Sequence, residues 1–445
     1  MRFKVSFDKV QLFSYFILLS FTGTFLLQIP GAYISGQPVS FVDALFTAVS
    51  AVCVTGLSTV DMAVYTKTGF FIIMLLIELG GLGIISFIVM YLAMPSKKVS
   101  LVNRRVIREF FIDEVETNPR KILKNIILFM FTIEAIGVLA LWLALRGRNI
   151  ESPLFTSVFL SISAFCNAGF TPYSDNLAGF RDSAGVNTIV MCLIVSGGLG
   201  FIVMKNIYQT IIHKRHRLSL HTKIVLGMTI SLIVVGALVV FLSTNTETFQ
   251  SLSLSEKIFA SLFQSVTART AGFESIPQTE FAPIGKISTA LLMFIGGSPG
   301  SIAGGIKTTT FFVLVLYTIN GNARGKGVPL IDRRINMATT EKAIGILCKS
   351  LFIVFAFFIG VSITEGALLE AGTFTLFDLF FEVVSAFGTV GLSQALSPHL
   401  SEGGKLLIIL TMFVGRTGVF AMALNMTSYT RARYVEYPDE HILVG

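Results

Sequence analysis

Four short stretches decide the reading of this chain: Val54-Thr55-Gly56-Leu57, Asn167-Ala168-Gly169-Phe170, Thr270-Ala271-Gly272-Phe273 and Thr389-Val390-Gly391-Leu392. Each follows a short apolar segment and sets a glycine between a small or apolar residue and a large apolar one. The glycines lie 113, 103 and 119 residues apart, so the stretches recur as one element in four units. A glycine frees the backbone to turn its carbonyl oxygens toward an axis, and four such loops around one axis imply an ion filter.

The composition sets the medium. Of 445 residues, 53% are hydrophobic and 13% charged, and the mean hydropathy is +0.77. A water-soluble chain of this kind would expose large apolar patches, so the class is membrane protein. The net charge of +8 and pI near 9.3 point to orientation and anionic headgroups and not to nucleic acid. Cys53, Cys166, Cys192 and Cys348 stand in apolar surroundings without a CxxC pair, and they read as small buried hydrophobes with no disulfide or metal role expected. The basic, then apolar N-terminus lacks a small-residue cleavage site, so residues 11–29 read as a mature span and not a signal peptide.

Apolar stretches of spanning length fall at 11–29, 69–93, 122–145, 186–209, 223–243, 286–320 (interrupted), 344–368 and 404–428. Between the members of each pair lies a shorter one, at 40–54, 153–167, 255–269 and 375–388. These are too short to cross and the right length to dip in and return. An acid stands near each start, at Asp43, Glu151, Glu256 and Asp378. Acids suit helix N-termini, which leaves four negative helix ends aimed at the glycines. The fold expected is all-α and integral to the membrane. It has four span–pore helix–span units, with eight transmembrane helices and four re-entrant pore helices around a central pore. The units are 10–95, 120–210, 222–320 and 343–430.

A second echo sits in the closing spans: Gly80-Gly81-Leu82-Gly83, Gly197-Gly198-Leu199-Gly200, Gly296-Gly297-Ser298-Pro299-Gly300 and Gly415-Arg416-Thr417-Gly418. Taken alone, a GGLG run reads equally as close helix packing. The connectors at 94–124, 205–223 and 321–349, with the two chain ends, carry 24 of the 34 Lys and Arg, which makes both termini cytoplasmic.

The third closing span departs from the others. Gly296 to Thr310 holds Gly296, Gly297, Pro299, Gly300, Gly304 and Gly305 among small hydroxyl residues such as Ser298, and it cannot be a regular helix. Either it is a kinked helix or a broken one whose loop lies in a water-filled cavity. Arg416 stands mid-span, where a charge costs about 2.5–3.5 kcal/mol, so it must face a cavity, an acid or the loop. Lys307 is a second barrier charge or a snorkelling one. Glu78, Glu134 and Glu365 also fall in spans. Arg269 holds the offset of Cys53 and Cys166, which places it behind its glycine loop. Three of the five histidines, His213, His216 and His221, cluster in a basic connector, and no phosphate-binding glycine motif occurs, so no enzyme and no nucleotide domain is expected in this chain.

Nearly the whole chain resembles the Trk/Ktr/HKT superfamily of potassium transporters, and within it the membrane subunits of bacterial Ktr systems. The resemblance puts the family's filter glycines on Gly56, Gly169, Gly272 and Gly391, in loops that include Val54, Thr55, Asn167, Ala168, Thr270, Ala271, Thr389 and Val390. Some plant relatives carry serine at the first glycine and favour sodium, so Gly56 implies potassium, held by filter carbonyls. It further implies an intramembrane gating loop at 296–310 held by Arg416. Sodium activation, a homodimer, a cytoplasmic nucleotide-binding regulatory ring, a lipid setting in the cell membrane and no cofactor in this chain are also implied. The alternative reading is a cation-coupled secondary carrier with a broken-helix site at the midplane.

Overall fold

The computed structural model describes residues 7–93, 119–148, 150–212, 217–243, 246–321, 327–330 and 333–423. The amphipathic run Asn103 to Glu116 and the two chain ends lie outside them. The helices are α1 (Phe7–Leu27), α2 (Phe41–Val52), α3 (Lys67–Ala93), α4 (Pro119–Leu145), α5 (Pro153–Phe165), α6 (Ala184–Leu199), α7 (Phe201–Ile212), α8 (Leu220–Leu242), α9 (Leu254–Thr267), α10 (Pro283–Phe294), α11 (Thr308–Asn320), α12 (Met337–Thr364), α13 (Leu376–Gly388) and α14 (Glu402–Ala423). A hairpin of β1 (Val328–Leu330) and β2 (Arg333–Ile335) precedes α12 and is a small departure from an all-helical chain.

The short helices α2, α9 and α13 start where their caps dictate. Ser253 and Glu256 form a capping box on α9, and Thr375 and Asp378 form one on α13. The Ser40 hydroxyl accepts from the Asp43 N–H at the start of α2. On α5 the expected acid is displaced: Pro153 takes the first helical position, and Glu151 stays outside, exposed and 4.0 Å from Lys67 Nζ.

The outer helices turn apolar side chains outward: Leu18 is 70% exposed and Phe352 76%. The hydroxyls of Thr47, Ser50, Ser163, Thr267 and Ser385 are buried at the centre. Such an inverted distribution suits lipid and not water. Three described helices are long and apolar enough to cross a membrane, Leu123–Leu145, Leu220–Leu242 and Met337–Thr364, with α6 and α7 as a bent pair. The expected unbroken span 186–209 is corrected here, because the chain turns 102° at Gly200. Gly200 has φ +80, and a side chain on it would collide with the Gly300 backbone. The cysteine expectation is also corrected in half. All four are free thiols, with Cys53 and Cys166 buried but Cys192 and Cys348 exposed on apolar faces.

The packing closes a circle. α3 meets α4 and α5, α6 meets α9, α10 meets α13, and α14 returns to α2. An ion pair fastens that last seam, with Lys405 Nζ 2.7 Å from Asp43 Oδ1, an oxygen that also accepts from Thr59 Oγ1 at 2.6 Å. The closing-span glycines have a packing reason. A Cβ on Gly80, Gly197 or Gly415 would run into the carbonyl of Val52, Phe165 or Phe387 at the ends of α2, α5 and α13.

Candidate functional site

Each short helix ends on a loop of the same backbone shape. The residue two before each glycine is left-handed, with φ 57 at Val54, 59 at Asn167, 73 at Thr270 and 50 at Thr389. The glycines follow with φ 98, 70, 77 and 99 at Gly56, Gly169, Gly272 and Gly391. Non-glycine residues reach that region only under constraint, and buried hydroxyls supply it. The Ser50 carbonyl accepts from Thr55 N at 2.8 Å and its Oγ from Gly56 N at 3.0 Å. Ser385 repeats the pair, with Val390 N at 2.9 Å and Gly391 N at 3.1 Å. Ser163 accepts from Ala168 N at 2.7 Å and donates its hydroxyl to Phe170 O at 2.7 Å. In the third unit Thr267, one residue later, accepts from Ala271 N at 2.9 Å and donates to Phe273 O at 2.7 Å. These four hydroxyl residues were missed in the sequence, although three of them stand six residues before a glycine.

The four loops abut in cyclic order. A Cβ on Gly56 would stand 2.5 Å from the Ala168 carbonyl oxygen, and one on Gly169 would stand 2.7 Å from that of Ala271. On Gly272 and Gly391 it would be closer still, to the carbonyls of Val390 and Thr55. The last contact returns to the first loop, so the four glycines and the residue before each, Thr55, Ala168, Ala271 and Val390, meet in one ring, with Val54, Asn167, Thr270 and Thr389 leading into it. Thr55, Thr270 and Thr389 each leave a buried Oγ1 without a hydrogen-bond partner among the described residues. Asn176, another residue not foreseen, braces two loops: its Nδ2 donates to Gly169 O at 3.4 Å and Gly272 O at 3.5 Å, and its Oδ1 accepts from Glu274 N at 3.1 Å.

Against this ring lies the segment between α10 and α11. Its ends are pinned side by side, with Gly296 N donating to Ile306 O at 2.8 Å and Ile306 N to Phe294 O at 3.1 Å. Pro299 and Gly300 form the tip, where Gly300 has φ +76 and Ser301 N donates to Ser298 O at 3.2 Å, as in a type II turn. Ser298 donates through its backbone N–H to Gly198 O at 3.0 Å and through its hydroxyl to Leu199 O, which satisfies carbonyls freed at the Gly200 break. Gly297 N–H and its neighbours leave room only for a hydrogen, since a Cβ there would meet Ala303 Cβ at 2.6 Å. A Cβ on Gly304 would strike the Thr389 hydroxyl, so this segment touches the fourth loop directly. Gly305 turns back with φ +63.

Arg416, 4% exposed on α14, donates through Nη1 to Ile302 O of the segment and through Nη2 to Gly80 O on α3 at 3.1 Å. Among the described residues its hydrogen-bond partners are carbonyls and not an acid. Lys307 Nζ folds back onto Ala303 O instead of reaching outward. Arg269 is buried behind the third loop, 3.5 Å from Thr229 O. Glu365 caps the end of α12 and accepts from the Ser401 hydroxyl at 2.6 Å.

Glu274 stands just beyond the third glycine, half-buried. Burial pushes its carboxyl up to about 8, the nearby Glu382 adds to the shift, and a hydrogen bond from the Ser393 backbone opposes it. The folded carboxyl therefore keeps its proton to higher pH than the unfolded one. Its contribution to stability is complete below about 4.5 and is lost as pH rises through about 8. Melting temperature should fall between about pH 4.5 and pH 8 and level off above that, and Glu274→Gln should flatten that slope. An unchanged slope in the variant would assign the titration to another group.

Apolar outer faces, a circle of helix groups and a ring of glycine loops at its centre define a polytopic membrane transport protein. The sequence comparisons place it further: residues 1–437 match the TrkH family, described as cation transport protein, and the chain belongs to that family. It is 38% identical to the Ktr system potassium uptake protein B of Bacillus subtilis, over 97% of this chain and 95% of that protein. It is 36% identical to the potassium/sodium uptake protein NtpJ of Enterococcus hirae, over 100% of this chain and 99% of that one. Its fold matches the crystal structure of the potassium transporter TrkH from Vibrio parahaemolyticus with a TM-score of 0.72 at 18% identity, covering 96% of this chain and 86% of that chain.

Proposed function

We propose that the chain takes potassium into the cell through a channel-like pore whose selectivity filter is the ring of glycine loops. The observation that carries this is the cyclic abutment of Gly56, Gly169, Gly272 and Gly391 on carbonyls of the next loop. A ring of backbone oxygens replaces the water shell of a cation. The C-termini of α2, α5, α9 and α13 all lead into it, and their partial negative charge adds to the attraction. The unpartnered hydroxyls of Thr55, Thr270 and Thr389 give a dehydrated ion further oxygens. The four helix groups act as four units of two spans and one pore helix, with both termini cytoplasmic. The 296–310 segment, with Lys307 and Arg416, is the gate below the filter.

The partners follow the same reading. Relatives named as components B and D of Ktr systems support a multi-component assembly. The chain works as a homodimer on a cytoplasmic nucleotide-binding ring, with sodium as an activator. The purified chain alone should conduct without nucleotide control; a nucleotide that altered its flux with no other protein present would remove the need for a regulator. The test of the filter is flux into liposomes under opposed K⁺ and Na⁺ gradients. Passive K⁺ flux exceeding Na⁺ flux is expected, and equal fluxes or strictly coupled transport would overturn it.

A further inference from the structure

We infer a binding site for a zinc-class divalent cation behind the second glycine loop, formed by Glu78 of α3, Glu134 of α4 and Cys166 at the end of α5. One donor atom from each lies within 4.8 Å of the others. Cys166 Sγ is 3.7 Å from Glu78 Oε2 and 4.0 Å from Glu134 Oε1. These are long for hydrogen bonds from a thiol. A tetrahedral ion with bonds of about 2.3 Å to sulfur and about 2.0–2.2 Å to oxygen holds such atoms roughly 3.5 Å apart, so only a small contraction is needed.

The surroundings call for a positive charge. Glu134 is 3% exposed, yet among the described residues its carboxyl finds no N–H, hydroxyl or cation beyond the cluster. Glu78 Oε1 is buried with no hydrogen-bond partner among the described residues. Two carboxylates this close in a low-dielectric setting repel each other, and a divalent ion removes that conflict while making the thiolate a ligand. Sulfur beside two carboxylate oxygens excludes potassium, sodium and magnesium as the preferred occupant and selects zinc or its softer congeners. The ion would join three helices at one point. That point is three residues before Gly169 and two before Gly80, whose carbonyl holds Arg416. Occupancy should therefore stiffen both the ring and the anchorage of the 295–307 segment, and slow flux.

The probe is cadmium, whose thiolate complex absorbs in the ultraviolet. The full chain in detergent, with exposed Cys192 and Cys348 changed to serine, should take up a single equivalent with a charge-transfer band and a raised melting temperature. Cys166→Ser should abolish the band. Glu134→Gln, which keeps size and polarity, should weaken binding roughly tenfold or more. If Cys166→Ser fails to fold, Glu134→Gln and Glu78→Gln carry the test. Absence of the band in the parent, its survival in Cys166→Ser, or unchanged affinity in both glutamine variants would overturn the site and leave a carboxyl pair sharing a proton. None of these readings depends on flux, so they stand apart from the filter proposal.

Discussion

Gly391→Ala should abolish most discrimination between K⁺ and Na⁺, and Gly56→Ser should weaken it with less damage to folding. The difference is geometric. A side chain on Gly391 would overlap the Thr55 carbonyl, and one on Gly56 would overlap the Ala168 carbonyl somewhat less, at 2.5 Å. At Gly391 the neighbouring loop must move, and with it the carbonyl that serves the ion. Both residues have φ near +98 to +99, a region that costs an L-residue about 1–2 kcal/mol. At Gly56 the backbone strain adds to a smaller displacement. A change of 1.4 kcal/mol in the preference for one dehydrated ion is about a factor of ten in selectivity, so a displacement of a few tenths of an ångström is readily measured. Flux ratios in liposomes for the two variants provide the check. Full selectivity in both would mean that the ring is not the filter.

The glycine period, the short helices and the breaking of the third closing span were legible because each is written locally. A glycine among apolar residues, a capping acid such as Glu256 or Asp378, and a run of glycines around Pro299 act through their own backbone. What stayed hidden depends on residues far away in the chain. The 102° turn at Gly200 arises where Gly300 of another helix group presses against it, so the sequence 186–209 reads as one apolar span. The Asp43–Lys405 pair joins residues 362 positions apart, and nothing local at either marks the other. Asn176 looks like an ordinary loop residue until the second and third loops are folded against each other. Glu151 misled for a local reason: an acid beside a helix start counts only inside the first turn, and Pro153 occupies that place. Cys192 and Cys348 misled because apolar surroundings in a membrane protein include the lipid-facing side.

Arg416→Ala, or removal of the tip of the 295–307 segment, should raise K⁺ flux and weaken its control while leaving selectivity in place. Arg416 does two things: it ties Ile302 and Gly80 together through their carbonyls, and it sets a buried positive charge beside the segment. Loss of the tie leaves the Ile302 carbonyl without its donor, at about 1–3 kcal/mol, and frees the segment to move, while Gly80 O keeps its place in the α3 ladder. Loss of the charge lowers an electrostatic barrier. A unit charge is worth about 4 kcal/mol at 4 Å in an effective dielectric of about 20, so even a more distant one changes the rate by roughly tenfold. Arg416→Gln separates the two, since it keeps one donor and removes the charge. If it conducts like the alanine variant, the barrier is electrostatic; if it conducts like the parent, the tie dominates. The segment's ends already meet, Gly296 N lying 2.8 Å from Ile306 O, so a short glycine bridge can span 299–303 while keeping Ser298 on the Gly198 and Leu199 carbonyls. A secondary carrier that binds its substrate in this segment would lose transport altogether. A bridged variant that reaches the membrane, keeps the melting temperature of the parent and carries no K⁺ would therefore replace the gated pore with a carrier.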